Sequence, residues 1–221
     1  FETKYFELLK LHRDNVAELD LGNATGRKIF VLLIREFRSI LSIVKDVAGE
    51  LRLTLDAKTF FEVSYNVLFY GVGPNSSRVL RASLSHFDIK FTDALLLQLE
   101  NPNVKADVKA QRGFDFTPFE GHQSRLGHYY RHLFQSVTYV DDVEINIDKY
   151  EYVKTIRAQL STHEQALLFI NSLSLHGRPW QTSKLLVRYR LVKNIPPLFF
   201  SPESELDIST DFPADYFEWQ Q

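Results

Sequence analysis

The chain has 221 residues, 44% of them hydrophobic and 14% aromatic, a composition that can bury a core and excludes a disordered chain. Lys plus Arg (26) nearly balance Asp plus Glu (28), so no global field draws it to nucleic acid or anionic lipid, and any such binding is local. Cys is absent, which excludes disulfides, thiolate nucleophiles and Cys-based metal sites and suits a reducing, cytoplasmic compartment.

Met is absent too and Phe1 comes first, so the sequence reads as a piece of a longer chain or as one lacking its methionines. No stretch reaches the ~18 to 20 apolar residues of a membrane-spanning helix. The longest apolar run, 29–34, is broken by Arg35 and Glu36, and the opening FETKYFELLKLHRD is too charged for a signal peptide. A soluble piece without a membrane span is expected.

Phe6, Leu9, Val16 and Leu19 recur at intervals close to the helical period, predicting an amphipathic helix over 2–19. After the turn LGNATG, the stripe Ile29, Leu33, Phe37, Ile40, Leu41, Val44 and Val47 predicts a second, core helix over 28–47. Asp56 is placed to cap a third, which ends at the Gly71–Pro74 breaker. Shorter helices are expected over 75–87 and 92–99, the latter stopping before Asn101-Pro102. GFDFTPFEG (113–121) is a loop, followed by a histidine-rich helix. Tyr152, Val153, Ile156 and Leu160 mark the next helix, and Ser161-Thr162-His163-Glu164 is a capping box that opens another. A last helix is expected over 180–192, ended by Pro196-Pro197.

No repeat, glycine-rich phosphate loop or strand-like alternation is evident. The expected fold is mostly α: a single-domain bundle of about seven to nine helices over 1–196. Residues 197–221 would form an extended acidic tail, tied down by Phe199, Phe200, Tyr216 and Trp219.

The stretch FEGHQSRLGHYYRHLFQ carries the chemistry. At ~100° per residue, Arg125, His128, Tyr129, His132 and Ser136 share one helix face, while Leu126, Tyr130, Leu133 and Val137 form the core stripe. The polar face admits four readings. His128 and His132 at i, i+4, with His122 or Glu120, have a zinc-like spacing, but Arg125 would repel the cation and no glutamate lies between them, so neither metal nor cofactor is expected. Arg125 and His132 are similar in spacing to the Arg-x(4–6)-His motif of HEPN-type ribonucleases, in which His is the general acid or base and Arg stabilises phosphate charge; Leu126 departs from that motif's polar residue after Arg. Alternatively, Gln123, Arg125, His128 and His132 bond loop carbonyls or Glu164 and are architecture. Lastly, the face binds a ligand through Phe119, Tyr129 and Tyr130.

Together with IRAQLSTHEQALLFINSLS and LLVRYRLVKNIP, in that order, the stretch resembles the phage abortive infection family, the AbiC-like proteins of bacteria, over about 113–196. The resemblance implies a bacterial phage-defence protein, effector or sensor, that arrests the infected cell and whose relatives carry hydrophobic helices ahead of the soluble domain, tethering it to the inner membrane. It implies a phage-derived trigger or RNA as partner and carries motif membership to His122, Gln123, Arg125, Gly127, His128, Tyr129, Arg131, His132, Arg157, Gln159 and Glu164. Arg125, His128 and His132 are the catalytic candidates, and His122, Gln123, Tyr129, Arg131, Arg157, Gln159 and Glu164 the binding or organising ones. A homodimer would suit the ribonuclease reading. The polar face and the 157–164 junction are expected to pack together.

Overall fold

A computed structural model describes residues 1–193, 195–200, 207–214 and 217. The longest helix, α2 (Lys28–Glu50), follows α1 (Glu2–Ala17) and a hairpin of β1 (Asp20–Leu21) and β2 (Ala24–Thr25). Next come α3 (Ala57–Tyr70), α4 (Ser76–Ser83), α5 (Ile89–Glu100) and α6 (Pro102–Arg112). The second half has α7 (Gln123–Asp141), α8 (Lys149–Ala158), α9 (Thr162–Leu173), α10 (Arg178–Thr182), α11 (Leu185–Arg188) and α12 (Ile208–Asp211). The fold is a mostly α bundle, as the sequence patterns imply.

The core grows around α2. Its expected stripe is fully buried, because residues at i, i+3, i+4 and i+7 form one face, which packs against α3, α5 and α9. Helix α9 is buried along nearly its whole length, which its apolar ALLFI centre permits. Its start is the capping box: the Glu164 amide donates to Ser161 Oγ at 3.3 Å and the Ser161 amide to Glu164 Oε2 at 2.8 Å. Asp56 caps α3 as expected, accepting from the Thr59 amide at 2.8 Å.

Four expectations need correction. Twelve helices, not seven to nine, lie among the described residues. One unexpected helix is α6: Asn101-Pro102, read as a stop, is also a start, since the Asn101 side chain accepts from the Asn103 amide and Pro102 occupies the first turn, where its missing N–H costs nothing. The helix expected over 180–192 is two short ones, split where Lys184 turns left-handed (φ 54), which lets Trp180, Leu185 and Leu186 all be buried. The turn LGNATG is a small antiparallel hairpin, with Gly22 (φ 58) at the first loop position and the Asn23 amide donating to Asp115 Oδ2 at 2.6 Å.

The tail is tied down. Phe200 packs in the core against Phe61 and Phe37, the described residues of the tail include a short helix, α12, and Ile208, Phe212 and Phe217 are buried as well. Phe199 is partly buried, its carbonyl accepting from the Arg38 guanidinium. Tyr216 and Trp219, the other expected anchors, lie outside the described residues.

The end of α3 and the loop before α7 touch backbone to backbone. Gly71 (φ 71) and Gly121 (φ 84) face one another, and a Cβ on Gly121 would stand 2.3 Å from the Tyr70 carbonyl oxygen. Gly121→Ala therefore combines a left-handed backbone with a clash that no side chain can relieve. Chemical denaturation should show a loss on the order of 3 kcal/mol.

Candidate functional site

Helix α7 begins where Phe119 (φ 69) and Gly121 turn the loop sharply. The anchor at this entrance is a residue on another helix. Glu36 of α2 has no solvent exposure; its Oε1 accepts from the Phe119 amide at 2.6 Å and its Oε2 pairs with His122 Nε2 at 2.8 Å. The Phe119 carbonyl in turn accepts from the Val72 amide at 2.7 Å, and the His122 amide donates to the end of α3. His122 is therefore an organising residue, buried and fixed by Glu36.

Nearly two turns into α7, the Tyr129 hydroxyl donates to Glu164 Oε1 at 3.2 Å. Glu164 is also fully buried, and its Oε2 lies 3.6 Å from Arg27 Nε at the start of α2. The Arg27 guanidinium also donates to the Gln159 carbonyl, so Gln159 contributes backbone rather than side chain. The polar helix and the 157–164 junction thus meet, with Tyr129 as the bridge. Burial and the adjacent Glu164 carboxylate hold the Tyr129 phenol well above its ordinary pKa, so it remains a donor. Arg157, at the end of α8, is mostly buried, and its Nη1 donates to the Tyr189 and Arg190 carbonyls at 3.2 and 3.0 Å.

The face that holds Arg125, His128 and His132 lies along α1 and the hairpin. Arg125 Nε donates to the Asp20 carbonyl at 2.6 Å. Arg125, His128 and Tyr129 line a depression of about 280 Å³ with Asn15, Glu18 and Asp20. His132 points elsewhere, its ring 6.1 Å from that of His12 on α1. The depression therefore gathers Arg125 with His128, and not with His132. Among the described residues, no three His, Asp or Glu side chains are grouped as a metal site requires.

On its other side, α7 presents Gln123, Gly127 and Arg131 to a cleft of about 420 Å³, whose remaining walls come from α3, α9 and α10. Sequence reasoning placed Gln123 and Arg131 among binding candidates but missed Asn171, His176 and Trp180, which share the cleft. It also missed Glu36, which was noted only for breaking the apolar run 29–34. A carboxylate inside an otherwise apolar helical stripe was the available signal.

Two measurements test this centre. Glu36→Ala leaves the Phe119 amide and the His122 ring buried without their partner, and urea unfolding should show a loss of about 3 kcal/mol. The histidine pair makes stability pH-dependent. Burial first, and then His132 and Arg27, push His12 down to about 4, and burial followed by His128 lowers His132. The unfolded chain takes up these protons near pH 6.5 and the folded one does not, so the stability contributed is complete above that pH and is lost as pH falls towards 4. His12 alone should account for a loss on the order of 2 kcal/mol by pH 4.5, and His12→Phe should flatten the stability profile in that window.

No helix of the described residues is long and apolar enough to cross a membrane. No curated protein and no solved structure matches the chain. The capped helix α9, the Tyr129–Glu164 bridge and all of α7 fall within one stretch that a family description does cover. Residues 121–200 match the family model described as "Putative phage abortive infection protein".

Proposed function

We propose that the chain is the domain of a bacterial phage-defence protein that acts by binding rather than by chemistry on the polar face of α7. The observation that carries this reading is where the polar groups of the matched segment are engaged. His122 is paired with Glu36, Tyr129 with Glu164, Arg157 with two carbonyls and Arg125 with the Asp20 carbonyl. Groups held in this way fix α7 in place, and His132, the general acid or base of the expected spacing, has both ring nitrogens buried beside His12 of α1, away from a substrate. In this reading the trigger is phage-derived, the domain works in the cytoplasm, and a preceding hydrophobic part tethers it to the inner membrane.

A second reading, metal-independent RNA cleavage, draws on the depression that gathers Arg125 and His128 beside Tyr129. There Arg125 would stabilise phosphate charge and His128, rather than His132, would move the proton.

The two readings separate in one experiment: phage plating on bacteria expressing the wild-type gene, Arg125→Ala/His128→Ala or Arg125→Ala/His132→Ala, with thermal melting of each purified chain. The binding reading expects protection to survive in every variant that keeps its melting temperature. Loss of protection by at least ~100-fold at an unchanged melting temperature, with RNA breakdown in wild-type infected cells, would favour cleavage.

A further inference from the structure

The cleft between α7, α9 and α10 points to a ligand. We propose that it binds a small planar heteroaromatic anion, a nucleotide in chemical class; the proposal rests on the binding reading above and names the ligand for it. About 420 Å³ lies within the range of small-molecule sites. Its apolar surface comes from Phe69, Tyr130, Phe134 and Trp180. Phe134 and Trp180 stand perpendicular with centroids 5.0 Å apart, the edge of one ring against the face of the other, which makes this wall rigid. Such walls suit a flat ring better than a flexible chain.

Two polar groups define the rest of the ligand. Asn171, 2% exposed, gives its Nδ2 to the Tyr65 hydroxyl at 2.7 Å, while its Oδ1 is buried with no hydrogen-bond partner. A buried acceptor without a donor costs free energy that an N–H on a ring edge would recover. Turning the carboxamide over would exchange the unmatched acceptor for an unmatched donor, and a nucleobase edge supplies both kinds. Arg131 stands exposed at the mouth, with Nε donating to the Gly127 carbonyl at 3.1 Å. That bond holds the guanidinium in place and leaves its terminal nitrogens for a phosphate or carboxylate. The nearby imidazole does not compete as a cation: burial lowers the pKa of His176, which stacks on Phe69 at 4.7 Å and is bonded to the Tyr70 hydroxyl.

Gly127 is the strongest sign that the cleft is kept open. Glycine inside a helix costs about 1 kcal/mol relative to alanine. At this position a Cβ would meet only Phe69 Cζ, at 3.9 Å, an ordinary contact. Packing therefore does not require a glycine in α7; a larger side chain would instead project into the cleft.

The test is calorimetric titration of the chain with the four nucleoside 5′-monophosphates, their nucleosides, and decanoate as an aliphatic anion. At least one monophosphate should bind, at least ~10-fold more tightly than its nucleoside, with decanoate inert. Arg131→Gln should bring the monophosphate down to its nucleoside and leave the nucleoside unchanged. Gly127→Leu should abolish both without lowering the melting temperature. The proposal is overturned if no monophosphate binds, if decanoate binds as well as any of them, or if Gly127→Leu binds like wild type. Should Gly127→Leu abolish phage protection while no monophosphate binds, the binding reading stands and the nucleotide assignment falls.

Discussion

The Glu164 carboxylate is the interaction on which the arrangement of the second half depends. It is fully buried, caps the start of α9, accepts the Tyr129 hydroxyl from α7 and faces Arg27 at the start of α2. One side chain therefore sets the relative positions of three helices, and it can do so only because each oxygen has a partner. A buried carboxylate without them would cost several kcal/mol. Glu36 performs the same service at the entrance of α7, where it joins α2 to the Phe119 amide and His122. The two carboxylates together turn a helix with a strongly polar first half into a core element.

Once α7 is held in this way, its sides have different work. The stripe of Leu126, Leu133 and Val137 is fully buried. The Arg125 face lies along α1 and the hairpin, while the Gln123–Gly127–Arg131 edge borders the cleft. The division explains how a histidine-rich segment can be architecture while its helix still serves a ligand. It also places Tyr129, Glu164 and most of the cleft lining in the segment that the family model covers, with Glu36, Arg27 and Phe69 contributed from outside it.

Much of the local structure was legible because it depends on short-range chemistry. The capping box at Ser161, the Asp56 cap, the α2 stripe and the Gly71 break each involve residues within one helical turn or one repeating period. Helix α6 was not, because its composition is polar and its start signal, Asn101-Pro102, doubles as the preceding helix's stop. Of the candidate site, His122, Tyr129, Arg157 and Glu164 were recognised as a group of polar residues on apolar elements. The partners of His122 and Arg157 were not, since Glu36 lies 86 residues from His122 and the carbonyls that take Arg157 lie 32 and 33 residues away.

The sequence by itself determined that the chain is mostly helical, where most helices start, and that the matched segment is polar where a bundle helix should be apolar. Those properties follow from periodicity, capping and composition, which act between neighbours in the chain. Only the tertiary structure decided which polar groups are used up internally and which are left for a ligand. Asn171 looks unremarkable in the sequence, and Gly127 stands there only as a member of a motif. Their meaning comes from Tyr65 taking one end of an amide and from the open space beside a missing Cβ, both set by helices brought together from distant parts of the chain.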